Sequence, residues 1–355
     1  MKSGMGKTSY NGKIIYLERF HLAKKTKYNQ MKNIFKILSI ILLIGVVSIG
    51  DTMGQQLPQF SQYMFNGLHI NPGYAGYKGE HYVQSTYRSQ WMDFPGAPQT
   101  FTVTADLSAN EGAMGFGASI LSDKIGPTQT SSALLTYAYR IQTGFQSYLG
   151  FGISGGISEF VIDGSLFNPN DFGDVYVPEG RVNMFSPNMN AGIFFNTDRF
   201  YAGFSAYNLV GRQSLEREDI ALAFHNRHFY LTAGALFPIS EQVQFKPSFL
   251  IKEESGAAPT NIDLNGMFLF MDRVWVGASY RSNLKLNSEY VPTNLSNRNA
   301  IAFIVELFAT ENLRLGYAYD HNTNVLSNLR NNSHELSVGY YISPRNVRMK
   351  NSRWF

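Results

Sequence analysis

Residues 100–107 read TFTVTADL, in which every second side chain is apolar: Phe101, Val103, Ala105 and Leu107. The residues between them are threonines and one aspartate. Successive side chains of a β-strand point to opposite faces, so this pattern predicts a strand with one apolar and one polar face. The same period of two recurs in residues 243–252, 313–320 and 335–342.

About fourteen such units follow one another from Tyr82 to Ile342. Their connections alternate between tight turns and longer loops marked by polar residues, Pro or Gly. This rhythm predicts an up-and-down antiparallel β-barrel over residues 80–342, with turns at one rim and loops at the other. The turns are expected at Asn110-Glu111, Thr143-Gly144, Asp198-Arg199, Ser240-Glu241, Asp272-Arg273 and Glu311-Asn312, and long loops at residues 163–185, 208–226 and 283–298.

Alternation alone does not separate a membrane barrel from a soluble sandwich, because both alternate. The apolar face is rich in Phe and Tyr, as in the interfacial girdles of outer-membrane barrels. The opposite face carries Gly150, Gly152 and Gly156, which would leave packing vacancies in a soluble core. An open sheet of this size would also expose two edges. We therefore predict an all-β protein that crosses a membrane as a closed barrel.

The first 54 residues are predicted to lie outside the barrel. Lys32 and Lys36 precede thirteen uncharged residues, 37–49, and small residues follow before Gln55. This is the layout of a secretory signal peptide, here over residues 31–54. Residues 1–30 lack periodicity. We interpret them as a misassigned start or disordered leader, the alternative being a basic cytoplasmic arm.

Charge is unevenly distributed along the chain. The sequence has 30 Lys or Arg and 26 Asp or Glu, but nine of the basic and two of the acidic residues lie in the first 54. The remainder carries 21 basic and 24 acidic residues, a formal net charge of −3. It has no basic patch of the kind that binds nucleic acid. The sequence contains no cysteine, which rules out disulfides and thiolate ligands, and we expect no cofactor and no metal.

Charged residues of nearly balanced sign fall on the inward face of the predicted strands. Two interpretations stay open for them: ion pairs that brace a filled interior, or a polar conduit that selects small solutes. The positions are Arg88, Asp106, Arg140, Lys246, Lys252, Asp263, Arg281, Glu306, Arg314, Asp320 and Glu335.

Catalytic chemistry has little support in the sequence. A lipid hydrolase of the outer membrane would need a Ser and a His brought together at the lipid face. The histidines His225, His228, His321 and His334 fall beside long loops, where we expect solvated side chains. We therefore predict that the protein is not an enzyme.

Residues 55–79 precede the first strand and contain an amphipathic patch over residues 60–70, followed by Pro and Gly. We expect a short piece that lies against the barrel mouth or plugs it, with a flexible linker as the alternative. An even number of strands puts both ends of the barrel at the turn rim, which faces the periplasm in such proteins. This segment and the basic tail, residues 343–355, are thus expected to be periplasmic or inside the lumen.

Several motifs of this chain resemble those of a known family. They are PQFSQYMFN at residues 58–66, INP at 70–72, YAG at 74–76, YRSQW at 87–91, GAPQT at 96–100, DKIGPT at 123–128, YAYR at 137–140 and SHEL at 333–336. In this order they resemble the PorP/SprF family, outer-membrane proteins of the type IX secretion system of Bacteroidetes. The positions that carry the first motifs are Phe60, Gln62, Tyr63, Asn71, Pro72, Tyr74 and Gly76, whereas Gly67 and Gly73 depart from the family pattern.

The resemblance implies a function that alternation does not reveal. Family members act with the type IX machinery to export or display large cargo proteins, including gliding adhesins, that bear a C-terminal sorting domain. It implies an outer-membrane protein whose partners are cargo, other secretion components and lipid. Candidate cargo contacts are the loop aromatics Phe167, Phe172, Tyr176 and Tyr290, with local packing as the alternative. A passive channel for small or hydrophobic solutes is the alternative function.

Overall fold

The computed structural model describes residues 57–167, 180–210, 226–254, 259–284, 298–323 and 332–342. The expected leader and signal peptide, residues 1–54, and the basic tail, residues 343–355, lie outside the described residues. So do three of the candidate cargo contacts, Phe172, Tyr176 and Tyr290.

The described residues form fifteen strands in one antiparallel sheet. The strands are β1 His81–Ser89, β2 Gln99–Ala109, β3 Met114–Ile125, β4 Thr128–Gly144, β5 Ser147–Asp163, β6 Arg181–Asn196, β7 Phe200–Tyr207, β8 His228–Ala235, β9 Phe237–Pro238, β10 Val243–Glu254, β11 Thr260–Phe270, β12 Val274–Leu284, β13 Arg298–Phe308, β14 Leu313–Asn322 and β15 Ser333–Ile342. Three-residue 3-10 helices occupy Tyr63–Phe65, Gly67–His69, Pro72–Tyr74, Asn110–Gly112 and Gly164–Leu166. Within the described ranges, none of the helices has the length and apolar character needed to cross a bilayer.

The sheet closes on itself. Each strand pairs with its neighbour in sequence, and β15 pairs with β1 from Ile342 opposite His81 to His334 opposite Ser89. The two-residue β9 continues β8 after Leu236, and both pair with β10, so together they occupy one position in the wall. The predicted antiparallel barrel of about fourteen strands is therefore confirmed.

Five of the six predicted tight turns lie between consecutive strands at one end of the barrel, which we call the turn rim; the sixth, predicted at Thr143-Gly144, lies there too but at Phe145-Gln146, because Thr143 and Gly144 still belong to β4. The opposite end, the loop rim, carries the connections that follow β1, β3, β5, β7, β10, β12 and β14. One of these is as short as a turn: β3 and β4 are joined by Gly126-Pro127 alone. The predicted loop over residues 163–185 ends earlier than expected. Residues 181–185 keep the period of two and pair with β5, so they belong to β6.

The predicted alternation of the strands is also confirmed. Phe101 and Leu107 are 44% and 41% exposed on the outer surface, whereas Thr102 and Asp106 are 1% and 3% exposed inside. An apolar exterior on a closed barrel suits hydrocarbon, where every backbone polar group of a spanning structure must be satisfied internally.

The interior contains the N-terminal segment, a name we use for its described part, residues 57–79. Three consecutive 3-10 turns shape it. Asn71 caps the third turn by accepting the Gly73 amide at 2.8 Å, and Pro72 is the first residue of that turn. The segment's apolar side chains are buried against the inward faces of the strands: Phe60, Tyr63, Met64, Phe65, Leu68, Ile70, Tyr74 and Tyr77.

Candidate functional site

The N-terminal segment runs through the lumen from one rim to the other. Leu57 lies at the loop rim, where its amide donates to His228 Nε2 at the start of β8 over 3.3 Å. At the turn rim, Lys78 Nζ donates to Tyr341 Oη near the end of β15 over 3.2 Å. Because β1 also starts at the turn rim, the chain passes along the lumen in one direction and returns in the wall.

Arg88, Asp320 and Glu335 hold the beginning of the segment through Ser61 and Gln62; we call these five residues the anchor cluster. Glu335 accepts the backbone amides of Ser61 at 2.7 Å and of Gln62 at 2.9 Å. Asp320 accepts the Ser61 hydroxyl at 2.7 Å. Arg88 donates to Ser61 Oγ over 3.1 Å and forms ion pairs with both carboxylates. The Arg88 guanidinium and the donors of the segment thus share the work of hydrogen bonding to two buried carboxylates, Asp320 and Glu335.

Arg281 connects the anchor cluster to a second group of ion pairs. Its guanidinium lies 3.8 Å from Asp320 and 2.8 Å from Asp263. Lys252 approaches the same Asp263 carboxylate at 3.3 Å. The network therefore joins β10, β11 and β12 to β1, β14 and β15, and its cations and carboxylates balance. Removing one member of such a buried network leaves an uncompensated charge.

Cations nearer the turn rim lie against aromatic rings or a tyrosine hydroxyl. Lys78 Nζ is 3.5 Å from the centroid of the Tyr82 ring. Lys246 is 1% exposed and lies within 6.0 Å of the centroids of three aromatic rings. Arg314 pairs with Glu306 and donates to a tyrosine hydroxyl over 2.8 Å. Ring faces attract cations, and the attraction is stronger where water is excluded.

The last two predicted lumen charges lie beside the end of the segment. Asp106 accepts the Gly76 amide at 2.5 Å, and the Arg140 guanidinium lies 5.5 Å from the centroid of the Tyr77 ring. The structure thus brings together some of the charges that the sequence singled out and places the others separately. Whether they brace the interior or line a conduit stays a prediction. One network joins Arg88, Lys252, Asp263, Arg281, Asp320 and Glu335; outside it, Glu306 and Arg314 pair with each other, and Asp106, Arg140 and Lys246 lie apart.

Glycines of β3, β5, β6 and β7 lie against the segment; we call β3 to β7 the glycine wall, and β1 with β10–β15 the charged wall. A Cβ added at Gly152 would overlap the Pro72 carbonyl, and one added at Gly150 would lie 2.6 Å from the Gly73 carbonyl oxygen. A side chain at either position would displace the segment. On the same wall, Asn71 Nδ2 donates to a β6 carbonyl over 2.9 Å.

A cavity of about 590 Å³ opens at the loop rim above the anchor cluster. Leu57, Arg88 and Trp91 are among the residues that line it. A smaller cleft of about 70 Å³ lies between the segment and the glycine wall and shares Leu57 with the first cavity. Hydroxyl and amide side chains such as Ser154 and Asn190 line this cleft together with apolar ones such as Leu68.

The expectation of a solvated histidine is wrong for His228. Its side chain is 5% exposed because it takes an inward position in β8, and it accepts the amide of Leu57. His334 lies on the outer side of the wall, where its ring packs against tyrosines, and His225 lies outside the described residues. Among the described residues, no group of three or more His, Asp or Glu is placed to hold a metal.

Sequence analysis did not single out Ser61, Asn66 or Lys78. Ser61 and Asn66 belong to the motif at residues 58–66, and Asn66 Nδ2 donates to a threonine hydroxyl of β2 over 3.0 Å. The motif itself was the signal that could have identified them, because their neighbours Phe60, Gln62 and Tyr63 were singled out. Phe167 is described and is 41% exposed, and its role as a cargo contact stays a prediction.

The segment's motif positions all lie inside the barrel. Phe60, Gln62, Tyr63, Asn71 and Tyr74 are each at most 5% exposed. Pro72 and Gly76 are buried as well.

A closed antiparallel barrel with an apolar exterior and a polar interior defines the class of outer-membrane β-barrel proteins. The family model described as type IX secretion system membrane protein PorP/SprF matches residues 52–340. The chain belongs to the PorP/SprF family, and the resemblance found in its motifs is confirmed. It is therefore an outer-membrane component of the type IX secretion system, a family and fold that do not correspond to a known class of enzyme.

Comparison with curated proteins finds no match. Among solved structures, the Ralstonia pickettii toluene transporter TbuX shares 9% identity at a TM-score of 0.45, over 78% of this chain and 93% of that chain. The Acinetobacter baumannii outer membrane protein Omp33 shares 7% identity at a TM-score of 0.43, over 74% and 98%. A Pseudomonas aeruginosa FadL homologue shares 12% identity at a TM-score of 0.42, over 76% and 92%.

Proposed function

We propose that this protein is a non-enzymatic component of the type IX system that binds cargo proteins through their C-terminal sorting domain and helps to export or anchor them. The occupied lumen is the observation that carries the proposal. Residues 57–79 contact both the charged wall and the glycine wall. A barrel whose interior holds its own chain offers cargo a surface and not a passage.

The N-terminal segment is held at three levels of the barrel. The anchor cluster holds it near the loop rim, Asn71 and the glycines hold its middle, and Lys78 holds its end at the turn rim. A fourteen-stranded barrel is also narrow for a folded domain, because barrel diameter follows strand number. Both arguments support a cargo site outside the lumen.

The loop rim is the proposed cargo side. In barrels of this kind the short turns face the periplasm and the longer loops face the exterior. The cavity of about 590 Å³ opens at the loop rim, and Phe167, at the end of β5, is a candidate contact there. Placement of the turn rim in the periplasm belongs to the same proposal, as do the signal peptide over residues 31–54 and a periplasmic tail over residues 343–355.

A pull-down tests the proposal. The detergent-purified barrel is mixed with the C-terminal sorting domain of a type IX cargo protein from the same organism, and an unrelated outer-membrane barrel serves as the control. We expect enrichment of the sorting domain with this protein alone. Deletion of the gene is expected to leave that cargo in the periplasm while other secreted proteins still reach the surface. Equal recovery by both barrels, with normal secretion in the deletion strain, would contradict the proposal.

A passive channel for small or hydrophobic solutes is the second candidate. The cleft of about 70 Å³ beside the glycine wall favours it, because this cleft adjoins the cavity at the loop rim. Conductance in planar bilayers tests it. A barrel that conducts steadily, and conducts more when Arg88→Met loosens the segment, would support the channel, whereas a silent wild-type barrel would reject it.

A further inference from the structure

Residues from five sequence motifs meet around the cavity of about 590 Å³ at the loop rim. The motif at residues 58–66 contributes Pro58 and Gln59, which precede the anchor cluster in the chain. The other four motifs contribute side chains from β1 to β4, from β15 and from the loop after β1; among them are Gln90, Trp91, Thr100, Asp123, Thr128 and Ser333. The anchor cluster includes none of these side chains, so their meeting at one cavity indicates a role of its own.

Carboxamides and hydroxyls are the largest group of side chains in the lining of this cavity. Threonines of β2 and β4 supply most of the hydroxyls, and the carboxamides are those of Gln59, Gln90, Asn261, Asn283 and Asn322. Each of these groups can both donate and accept hydrogen bonds. A ligand rich in hydroxyls matches such a lining, because every hydroxyl also donates and accepts.

The charges of the lining favour a neutral ligand. Arg88 and Arg281 line the cavity, but both already pair with carboxylates of the ion-pair network. Asp123 accepts the Thr100 hydroxyl at 2.6 Å and forms no ion pair with any described residue. An anion would therefore be repelled by Asp123 without gaining a surplus cation. A cation could pair with Asp123, but it accepts no hydrogen bonds and would leave the carboxamide N–H groups unused.

Trp91 supplies the aromatic surface of the cavity, and the backbone around it is held in place. Its amide donates to Ser333 Oγ over 3.2 Å, and the amide of Met92 donates to the Asn332 carbonyl over 3.2 Å. Trp91 has a φ of 49°, a left-handed conformation that bulky residues rarely adopt and that recurs at functional sites. A ring fixed in this way offers a flat apolar surface that loses little freedom when a ligand binds.

We propose that this cavity binds a neutral glycan. A sugar ring combines an apolar C–H face, which stacks on Trp91, with a rim of hydroxyls, which bond to the carboxamides and to Asp123. A polysaccharide of the cell surface and a free oligosaccharide present this same chemistry. An extended peptide fits less well, because β1 and β2 are paired on both sides and offer it no strand edge. The inference goes beyond cargo binding and does not depend on it.

Calorimetric titration of the purified full-length barrel tests the proposal. The detergent is lauryldimethylamine oxide, which has no sugar headgroup to compete for the cavity. The probes are maltotriose, mannotriose, N,N′-diacetylchitobiose and the neutral polysaccharide extracted from the surface of the same organism. We expect saturable binding of at least one probe, and Trp91→Ala should weaken it by about tenfold or more. Met92→Ala is the control, because Met92 is the next residue of the same loop and is not among the lining residues; it should leave the affinity unchanged.

Tryptophan fluorescence supplies a second readout. The sequence has three tryptophans, of which Trp275 is 1% exposed and Trp354 lies in the basic tail. Glycan binding should therefore change the fluorescence of Trp91. Trp91→Phe keeps an aromatic ring, so it should retain binding in the calorimeter and lose the fluorescence change. This pair of measurements decides the matter if Trp91→Ala does not show the heat-dependent gel shift of a folded barrel.

The probes also separate the two sources of glycan. Binding of the polymer alone identifies a surface polysaccharide, and binding of the short sugars identifies a free oligosaccharide; both results support the proposal. It is overturned if no probe binds, or if folded Trp91→Ala binds as tightly as the wild type. If a peptide from a cargo sorting domain changes the fluorescence of Trp91 and no glycan does, the cavity is a peptide site; this proposal then fails while the proposed function stands.

Discussion

The charged wall and the glycine wall hold the same N-terminal segment by different means. On the charged wall, Glu335 and Asp320 accept the segment's amides and a hydroxyl, and Arg88 neutralises them. On the glycine wall, Gly150 and Gly152 let one backbone approach another. The first contact depends on charge balance and the second on the absence of side-chain atoms. Loss of a charge should therefore disrupt the charged wall, whereas added side-chain atoms should disrupt the glycine wall.

The two walls also use their polar side chains differently. On the charged wall they reach inward to the segment. On the glycine wall many bond to one another, as Asn188 does to Ser158 and Asn190 to Ser154, both over 3.0 Å. The difference between the walls is one of degree, because Ser205 and Tyr207 of the glycine wall also donate to the segment, to the Ile70 carbonyl over 2.6 Å and to the His69 carbonyl over 2.9 Å.

The largest expected effect comes from the charged wall. Arg88→Met leaves two buried carboxylates without their shared cation and should lower the free energy of unfolding by about 3–5 kcal/mol. Denaturant titration of the barrel in lipid vesicles, followed by tryptophan fluorescence, measures it. Arg199→Met on an exposed turn is the control and should change the value by less than about 0.5 kcal/mol. Similar values for the two variants would show that the anchor cluster does not hold the barrel together.

An intermediate effect is expected on the glycine wall. Gly152→Val forces side-chain atoms into the space of Pro72 and should cost about 1–3 kcal/mol and expose the segment to protease. Gly155→Val on the same strand is the matched control, because a Cβ there meets nothing within 4 Å. If both valines are tolerated equally, close approach of the segment is not what these glycines provide.

A smaller effect separates bonds to the segment from bonds within the wall. Asn66→Ala removes a 3.0 Å bond from the segment to β2, and Asn188→Ala removes a 3.0 Å bond between two wall strands. Each should cost about 1 kcal/mol in the free energy of unfolding. Only Asn66→Ala should speed proteolysis of residues 57–79. Faster cleavage in both variants would mean that the wall and the segment loosen together.

The smallest perturbation tests the course of the segment. The chain has no cysteine, so Gln59→Cys gives a single thiol at the loop rim, and Phe145→Cys gives one at a turn tip where Phe145 is 91% exposed. A membrane-impermeant maleimide added to intact cells should label Gln59→Cys and should reach Phe145→Cys only after the outer membrane is opened. Labelling of both from the same side would contradict a segment that runs from rim to rim.

The strands of the barrel wall were predictable because the alternation of side chains depends only on neighbouring residues in the sequence. The period of two puts Arg88, Asp320 and Glu335 on the inner face without any knowledge of their partners. The register across the closing strands was not predictable, although it places Arg88 directly opposite Glu335. Register depends on which distant strands meet and on how far each is shifted.

The N-terminal segment was predictable only through its motifs. Its 3-10 turns have no strand period, and Ser61 meets Glu335 across 274 positions of sequence. We predicted a solvated side chain for His228 because this residue follows a long loop. His228 is instead the first residue of β8, and its side chain points into the barrel. The loop before β6 was predicted too long, because residues 181–185 follow a long polar stretch and pair with β5, a distant contact that the sequence does not reveal.

The placement of Glu335 has a consequence for assembly. This carboxylate lies on the last strand, opposite the first strand, and it also binds the chain that precedes the first strand. The side chain of Glu335 therefore takes part both in the strand pair that closes the barrel and in binding the N-terminal segment. A barrel that closed while empty would bury that carboxylate without its two amide donors, so we expect residues 57–79 to be in place before β15 pairs with β1.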